Sequence, residues 1–218
     1  MQMDENMYQS ISVGDPRFGV RVYKNAIPNC MDAAKTIVLS IEESIDPLLR
    51  WNQAMVGHSV VMPNYRNCWD CKLGPEAVYG MKDEAQIFKS AYGDVVMAIG
   101  SCVGDFCQPY GLNMNYMEAV NFVKYGVGEH FDVHSDHGFS YTCTVSTVAY
   151  LNDDYEGGEL WFNHLDQTIK PEVGDIVVFP STFIYSHASL PVKSGVKYSA
   201  VTMFDYNDAN HKAGGYAG

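Results

Sequence analysis

The chain has 218 residues, 47% hydrophobic and 18% charged, which is enough apolar material for one packed domain and too much for a disordered chain. Fourteen Lys and Arg stand against 26 Asp and Glu, a formal net charge of −12. Sequence-independent binding to nucleic acid or to an anionic membrane needs a basic face, so neither is expected as a main function.

The opening MQMDENMYQS has no basic n-region and no apolar h-region, so no secretory leader is read there and a reducing cytoplasm is the expected compartment. No apolar run approaches the ~20 residues of a membrane span. Cys30, Cys68, Cys71, Cys102, Cys107 and Cys143 are therefore expected as free thiols. Ala33, Ile37, Ile41, Ile45 and Leu49 recur at four-residue spacing and predict an amphipathic helix over residues 29–50, opened by Pro28 and Asn29 and frayed near Pro47. Residues 57–80, rich in Pro, Gly and Asn, read as strand and loop. Residues 82–100 read as a second helix with Ala85, Phe88, Tyr92, Val95, Val96 and Ile99 on one side.

From residue 120 onward the chain reads as strands. These are Tyr141–Leu151, Glu159–Phe162, Thr168–Lys170, Ile176–Phe179, Phe183–Ser186 and Tyr198–Phe204, with an acidic turn over Asn152–Gly158. Short strands between turn signals predict a sandwich or jelly-roll barrel, mainly β in an α+β chain, with the N-terminal helices packed on one sheet. The division expected is helical support and substrate loops over 1–115, a jelly-roll core with the metal site over 116–206, and a poorly ordered glycine-bearing tail over 207–218.

His134-Ser135-Asp136 is the pattern that carries chemistry. On a strand, residues i and i+2 share a face, so one imidazole and one carboxylate can grip a single ion. His187 supplies a third ligand from a distance, read as the end of the strand Phe183–Ser186. Two histidines and a carboxylate suit a non-haem Fe(II) oxygenase, although zinc hydrolases use the same donors and the triad alone leaves the metal open. Lys197 follows His187 by ten residues, which is read as a hairpin that puts it on the strand beside the metal strand, pointing into the same pocket. A lysine buried there needs an anion.

At this point a family resemblance is visible. Tyr125-Gly-Val-Gly128-Glu-His130-Phe131-Asp-Val-His134-Ser-Asp136 resembles the iron-binding segment of prolyl 4-hydroxylase-like 2-oxoglutarate/Fe(II) dioxygenases. Tyr150-Leu-Asn-Asp-Asp-Tyr-Glu-Gly157-Gly158-Glu159-Leu-Trp-Phe162, Gly174-Asp175-Ile-Val-Val-Phe179-Pro180-Ser181 and His187…Lys197 follow in the family's order, and Arg66-Asn67-Cys68 resembles its Arg-x-Ser stretch. The resemblance implies a double-stranded β-helix, Fe(II) held by His134, Asp136 and His187, and 2-oxoglutarate held through its C5 carboxylate by Lys197 and Tyr125. It further implies O₂ as co-reactant and ascorbate as accessory reductant. Leu160 stands where the family often has Thr, and Met203 where it often has Trp. The substrate implied is a peptide or protein whose prolyl residues become 4-hydroxyproline, with release of succinate and CO₂. A free amino acid or another small molecule is the alternative, and a non-catalytic jelly-roll binding module is disfavoured by the intact triad.

Tyr65 and Arg66, in a loop that the resemblance places at the substrate entrance, are the substrate-side candidates. Trp161 or Tyr141 is a candidate aromatic wall, with packing the stronger role for Trp161. His130 and His137 read as structural or substrate-side, and His58, His164 and His211 as surface or loop residues without a partner. Cys68-Trp-Asp-Cys71 has no second Cys or His pair at matching spacing, so a zinc half-site is set aside in favour of free thiols.

Overall fold

The computed structural model describes residues 9–15, 19–44, 46–57, 60–82, 85–138, 141–209 and 211, and among these it places three α-helices and sixteen strands. The first half runs β1 (Ser10–Ser12), β2 (Arg21–Tyr23), α1 (Cys30–Glu43), β3 (Asn52–Gln53), β4 (Arg66–Asn67), β5 (Trp69–Leu73), α2 (Pro75–Tyr79) and α3 (Gln86–Cys107). The second half runs β6 (Tyr116–Met117), β7 (Val120–Tyr125), β8 (His130–His134), β9 (Val145–Tyr150), β10 (Glu156–Gly157), β11 (Leu160–Phe162) and β12 (Gln167–Ile169). It ends with β13 (Ile176–Pro180), β14 (His187–Ser189), β15 (Val192–Ser194) and β16 (Lys197–Asp205).

The strands form a nine-stranded sheet in the order β1-β2-β13-β9-β16-β7-β5-β3, with β6 added to β16, and a five-stranded sheet in the order β12-β11-β14-β8-β4. Together they make the jelly-roll core, and β10 pairs separately with β15. The first 115 residues thus contribute β1 to β5 to the two sheets as well as the helices.

All six residues of β9 are buried because both of its faces are covered. Val145 and Ala149 join the core beneath α1 and α3, whereas Val148 and Tyr150 meet Leu160 and Phe162 of the smaller sheet. Strand β13 divides likewise, with Ile176 and Val178 toward the helices and Val177 and Phe179 toward the barrel interior. This two-sided burial explains why these strands read as nearly continuous apolar runs rather than as alternating ones.

Packing outweighs capping in the helices. Asn29 caps α1 from a left-handed conformation and makes no side-chain cap hydrogen bond. A good cap contributes only about 1 kcal/mol, whereas each buried large apolar side chain contributes about 1.5–3 kcal/mol. Ile37 and Ile41, both at most 2% exposed, therefore hold α1 to the sheet.

Several expected boundaries shift. Helix α1 stops at Glu43, because Ser44 is already extended and its Oγ accepts the Asp46 N–H at 3.0 Å, with Pro47 next. Ile45 lies outside the described residues, and Leu49 reaches the core from a turn. Helix α3 begins at Gln86 and continues past Gly100 and Gly104 to Cys107, since Cys102, Val103 and Phe106 extend its buried face. Phe183–Tyr185 is a 3-10 turn, not a strand, so His187 opens a strand instead of ending one. His58 and tail residues 210 and 212–218 lie outside the described residues. Among the described residues, no helix is long and apolar enough to cross a membrane.

Candidate active site

His134 is the last residue of β8, and His187, the first of β14, lies directly opposite it in the antiparallel pair. Asp136 stands two residues beyond the end of β8, not on the strand as the i, i+2 spacing predicts. Cross-strand register and a bend in the chain therefore bring the three together, and one ligand atom from each lies within 4.8 Å of the others. Asp136 Oδ1 is 3.6 Å from His134 Nε2, and Asp136 Oδ2 is 3.9 Å from His187 Nε2.

Both imidazoles are oriented from behind. His134 Nδ1 bonds the Asp132 carbonyl at 2.8 Å and His187 Nδ1 the Tyr185 carbonyl at 3.0 Å. With Nδ1–H donating, each Nε2 keeps a lone pair directed at the shared point, which is the tautomer a metal needs. Burial draws His187 down to about 4, so it is neutral at physiological pH. Burial alone would raise Asp136, but neighbouring His187 and His134 outweigh it and hold the carboxylate well below its usual range. Phe162 and Phe179 pack on His187 at 5.6 and 4.9 Å between ring centroids, walling that side from water. Two imidazoles and one ionised carboxylate fit Fe(II).

Lys197 opens β16 in the larger sheet, across the barrel from the metal strand and not beside it as expected. The ten residues after His187 include β15, which pairs with β10 and carries the chain from one sheet to the other. The lysine is 2% exposed, and its Nζ donates to Gly158 O at 2.7 Å and to Ser189 Oγ at 2.8 Å. These partners are neutral, and burial pulls its pKa down to about 7. Nζ also lies 5.0 Å from the Tyr125 ring centroid and 5.4 Å from that of Tyr150. Tyr125 is buried, with its hydroxyl in reach of Ser189 and Cys68.

Tyr150 is 0% exposed, and its hydroxyl has no hydrogen-bond partner. A buried cation with neutral partners beside an orphaned hydroxyl suits an anionic guest, and a dicarboxylate such as 2-oxoglutarate fits it. Ser189, the Gly158 carbonyl and Tyr150 escaped the sequence reading. Tyr150 stood in a quoted motif, and the parity it shares with Val148 was the available signal.

On the outer side, Tyr65 donates to the Val133 carbonyl at 3.2 Å and meets Phe131 edge-on, with centroids 5.6 Å apart. Arg66 lies in strand β4, not in a loop, with its guanidinium 4.8 Å from the Phe131 centroid and Nη1 donating to Met55 O at 2.7 Å. Its Nε is buried without a partner. Trp161 pairs with Ala188 and alternates with buried Leu160 and Phe162, so it faces out of the barrel and does not line the site. Tyr141 bonds Glu118 and packs on His211.

His137 is structural, bonded through Nδ1 to Cys143 O at 2.7 Å. His211 departs from the surface reading: its side chain is 4% exposed, stacked on Tyr116 at 4.1 Å and bonded to Asp205 at 3.1 Å. His164 is exposed, and His130 bonds Gly128 O at 3.3 Å. All six cysteines are free and buried.

Residues 120–205 match the 2OG-Fe(II) oxygenase superfamily. A PKHD-type hydroxylase of Prochlorococcus marinus is 33% identical over 91 residues, covering 39% of this chain and 40% of that protein. Prolyl 4-hydroxylase subunit alpha-1 of Caenorhabditis elegans is 27% identical over 136 residues, covering 52% of this chain and 24% of the relative. The chain thus spans less than half the length of these two relatives. In fold it is similar to a Trichoplax adhaerens prolyl hydroxylase solved with a hypoxia inducible factor oxygen degradation domain peptide fragment. That likeness has a TM-score of 0.70 and 16% identity, covering 87% of this chain and 84% of that one.

Proposed function

We propose, from the match of residues 120–205 to the 2OG-Fe(II) oxygenase superfamily, that this chain is an Fe(II)/2-oxoglutarate-dependent dioxygenase of prolyl 4-hydroxylase-like kind that hydroxylates prolyl residues of a peptide or protein. One observation carries the reading. His134, Asp136 and His187 converge within 4.8 Å in the same barrel that buries Lys197 without a carboxylate partner at hydrogen-bond distance. Bound Fe(II) supplies the oxidising chemistry, in which 2-oxoglutarate and O₂ become succinate and CO₂ while one oxygen atom enters a substrate C–H bond.

The chain's own residues do the rest. His134, Asp136 and His187 hold the metal, and Lys197, with Tyr125 and Tyr150, receives the distal carboxylate. Phe162 and Phe179 keep water from the His187 side. Tyr65 and Arg66 face the substrate, held on either side of Phe131. Ascorbate as reductant and a cytoplasmic setting belong to this reading, and six buried free thiols support a reducing compartment.

The test is incubation of anaerobically purified protein with Fe(II), 2-oxoglutarate, air and a panel of proline-containing peptides. Mass spectrometry follows added oxygen, and succinate is counted alongside. Oxygen on proline in step with succinate is the expected result. Succinate without peptide oxidation would move the substrate to small molecules, and no succinate with any substrate would overturn the dioxygenase.

A further inference from the structure

Behind the carboxylate ligand runs a line of buried hydroxyls that metal and cosubstrate binding leave unexplained. Ser146 lies on β9 opposite Phe179 and Met203 and is 0% exposed. Strand parity turns it to the barrel interior with Val148 and Tyr150. Its hydroxyl lies within reach of the Asp136 carboxylate and stands 2.8 Å from the Ser181 hydroxyl, itself 2% exposed. Ser181 reaches on to the Cys143 thiol. The backbone of Ser181 is pinned at both ends, donating to Thr144 O at 3.1 Å and accepting from His137 N at 3.0 Å. An ionised carboxylate only accepts, so Ser146 donates to Asp136 and Ser181 to Ser146.

Asp136 needs such support more than its fellow ligands do. Both imidazoles are tied to backbone carbonyls through Nδ1. Asp136 lies past the end of β8, where no ladder fixes it. We propose that Ser146, backed by Ser181, is a positioning residue for the metal centre, holding the Asp136 carboxylate plane so that one oxygen stays directed at the ion. This rests on the reading of the triad as that centre.

The test uses the full chain and Co(II) as probe, reading the dissociation constant by calorimetry and the coordination geometry by visible absorption. Ser146→Ala is expected to weaken Co(II) binding about tenfold, the scale of losing an outer partner of a metal ligand, and to shift the absorption bands. Ser146→Thr, which keeps the hydroxyl, is expected to restore both, and Ser181→Ala to weaken binding by less. Ser181→Ala also serves if Ser146→Ala does not fold. Wild-type affinity and bands in both alanine variants, or a Thr variant no better than Ala, would overturn the proposal. If His134→Ala binds Co(II) as wild type does, the metal centre itself is misplaced and the inference falls with it.

Discussion

Phe131 lies flat against the imidazole of His134, with ring centroids 3.6 Å apart and planes 14° from parallel. Arg66 stands over the same phenyl ring, so side chains from β4 and β8 set the plane of the imidazole proposed to hold the metal. Phe131→Leu keeps apolar volume and removes the flat face. Metal affinity is expected to fall about tenfold, with little change in unfolding temperature. Calorimetric titration with Co(II) checks it, and an unchanged constant would mean that the Nδ1 bond to Asp132 suffices alone.

Lys197 makes a pH prediction whose sign can be worked out. Its folded value near 7 lies below the ordinary 10.5, so between these the unfolded chain binds more protons and stability rises with pH. Buried thiols act oppositely: burial raises Cys30 from 9.0 to about 11 and Cys143 from 9.0 to about 12, so their contribution falls as pH climbs above 9. The difference between wild type and Lys197→Met isolates the lysine. From pH 7 to 9, the unfolding temperature of the wild type is expected to rise relative to that of the variant. Parallel curves would show that the ammonium is not buried in solution.

On the proposed function the same lysine would couple cosubstrate to protons. A bound carboxylate favours the ammonium, so 2-oxoglutarate binding above pH 7 takes up a proton and weakens as pH rises. Calorimetry in two buffers of different ionisation enthalpy measures the uptake. Lys197→Met should abolish the uptake and most of the affinity.

Tyr150→Phe removes a buried hydroxyl that no protein group hydrogen-bonds. The ligand-free variant is expected to be at least as stable as wild type, because an unsatisfied buried hydroxyl costs about 1–3 kcal/mol. Its 2-oxoglutarate affinity is expected to drop severalfold. Thermal unfolding and cosubstrate titration separate the two effects, and equal affinity would remove Tyr150 from the anion site.

Gly157 has φ +78°, and a Cβ there would meet the Pro191 carbonyl at 2.4 Å and the Lys193 nitrogen at 2.8 Å. Gly111, at φ +63°, has open space. Gly111→Ala should cost only the left-handed backbone penalty, about 1–2 kcal/mol. Gly157→Ala should lower the unfolding temperature further and weaken 2-oxoglutarate binding, since the next residue supplies the carbonyl that holds Lys197. Equal losses in thermal unfolding would mean that the β10–β15 pair shifts freely.

The convergence of His134, Asp136 and His187 and the burial of Lys197 were legible, because these residues stand in ordered motifs with few other roles open to them. Placement was less so. Counting from His187 could not tell that β15 would carry Lys197 to the other sheet. Periodicity ran α1 on through Leu49 because that side chain is buried, although from a turn. Trp161 looked like an available aromatic until its neighbours Leu160 and Phe162 claimed the inner face. His211 gave no local signal, since its partners Tyr116 and Asp205 come from different strands.

Lys197 and the histidines sit on opposite sheets, linked by the hydrogen bond from Lys197 to Ser189. A keto acid gripped by the metal at one end and by Lys197 at the other would work as a rivet through the barrel wall. At a hundredfold excess over its dissociation constant it would add about 2.7 kcal/mol to the folded state. Amide hydrogens of β8, β14 and β16 would then slow their exchange together, and a protein starved of cosubstrate would be a looser object and an easier one for proteases to open.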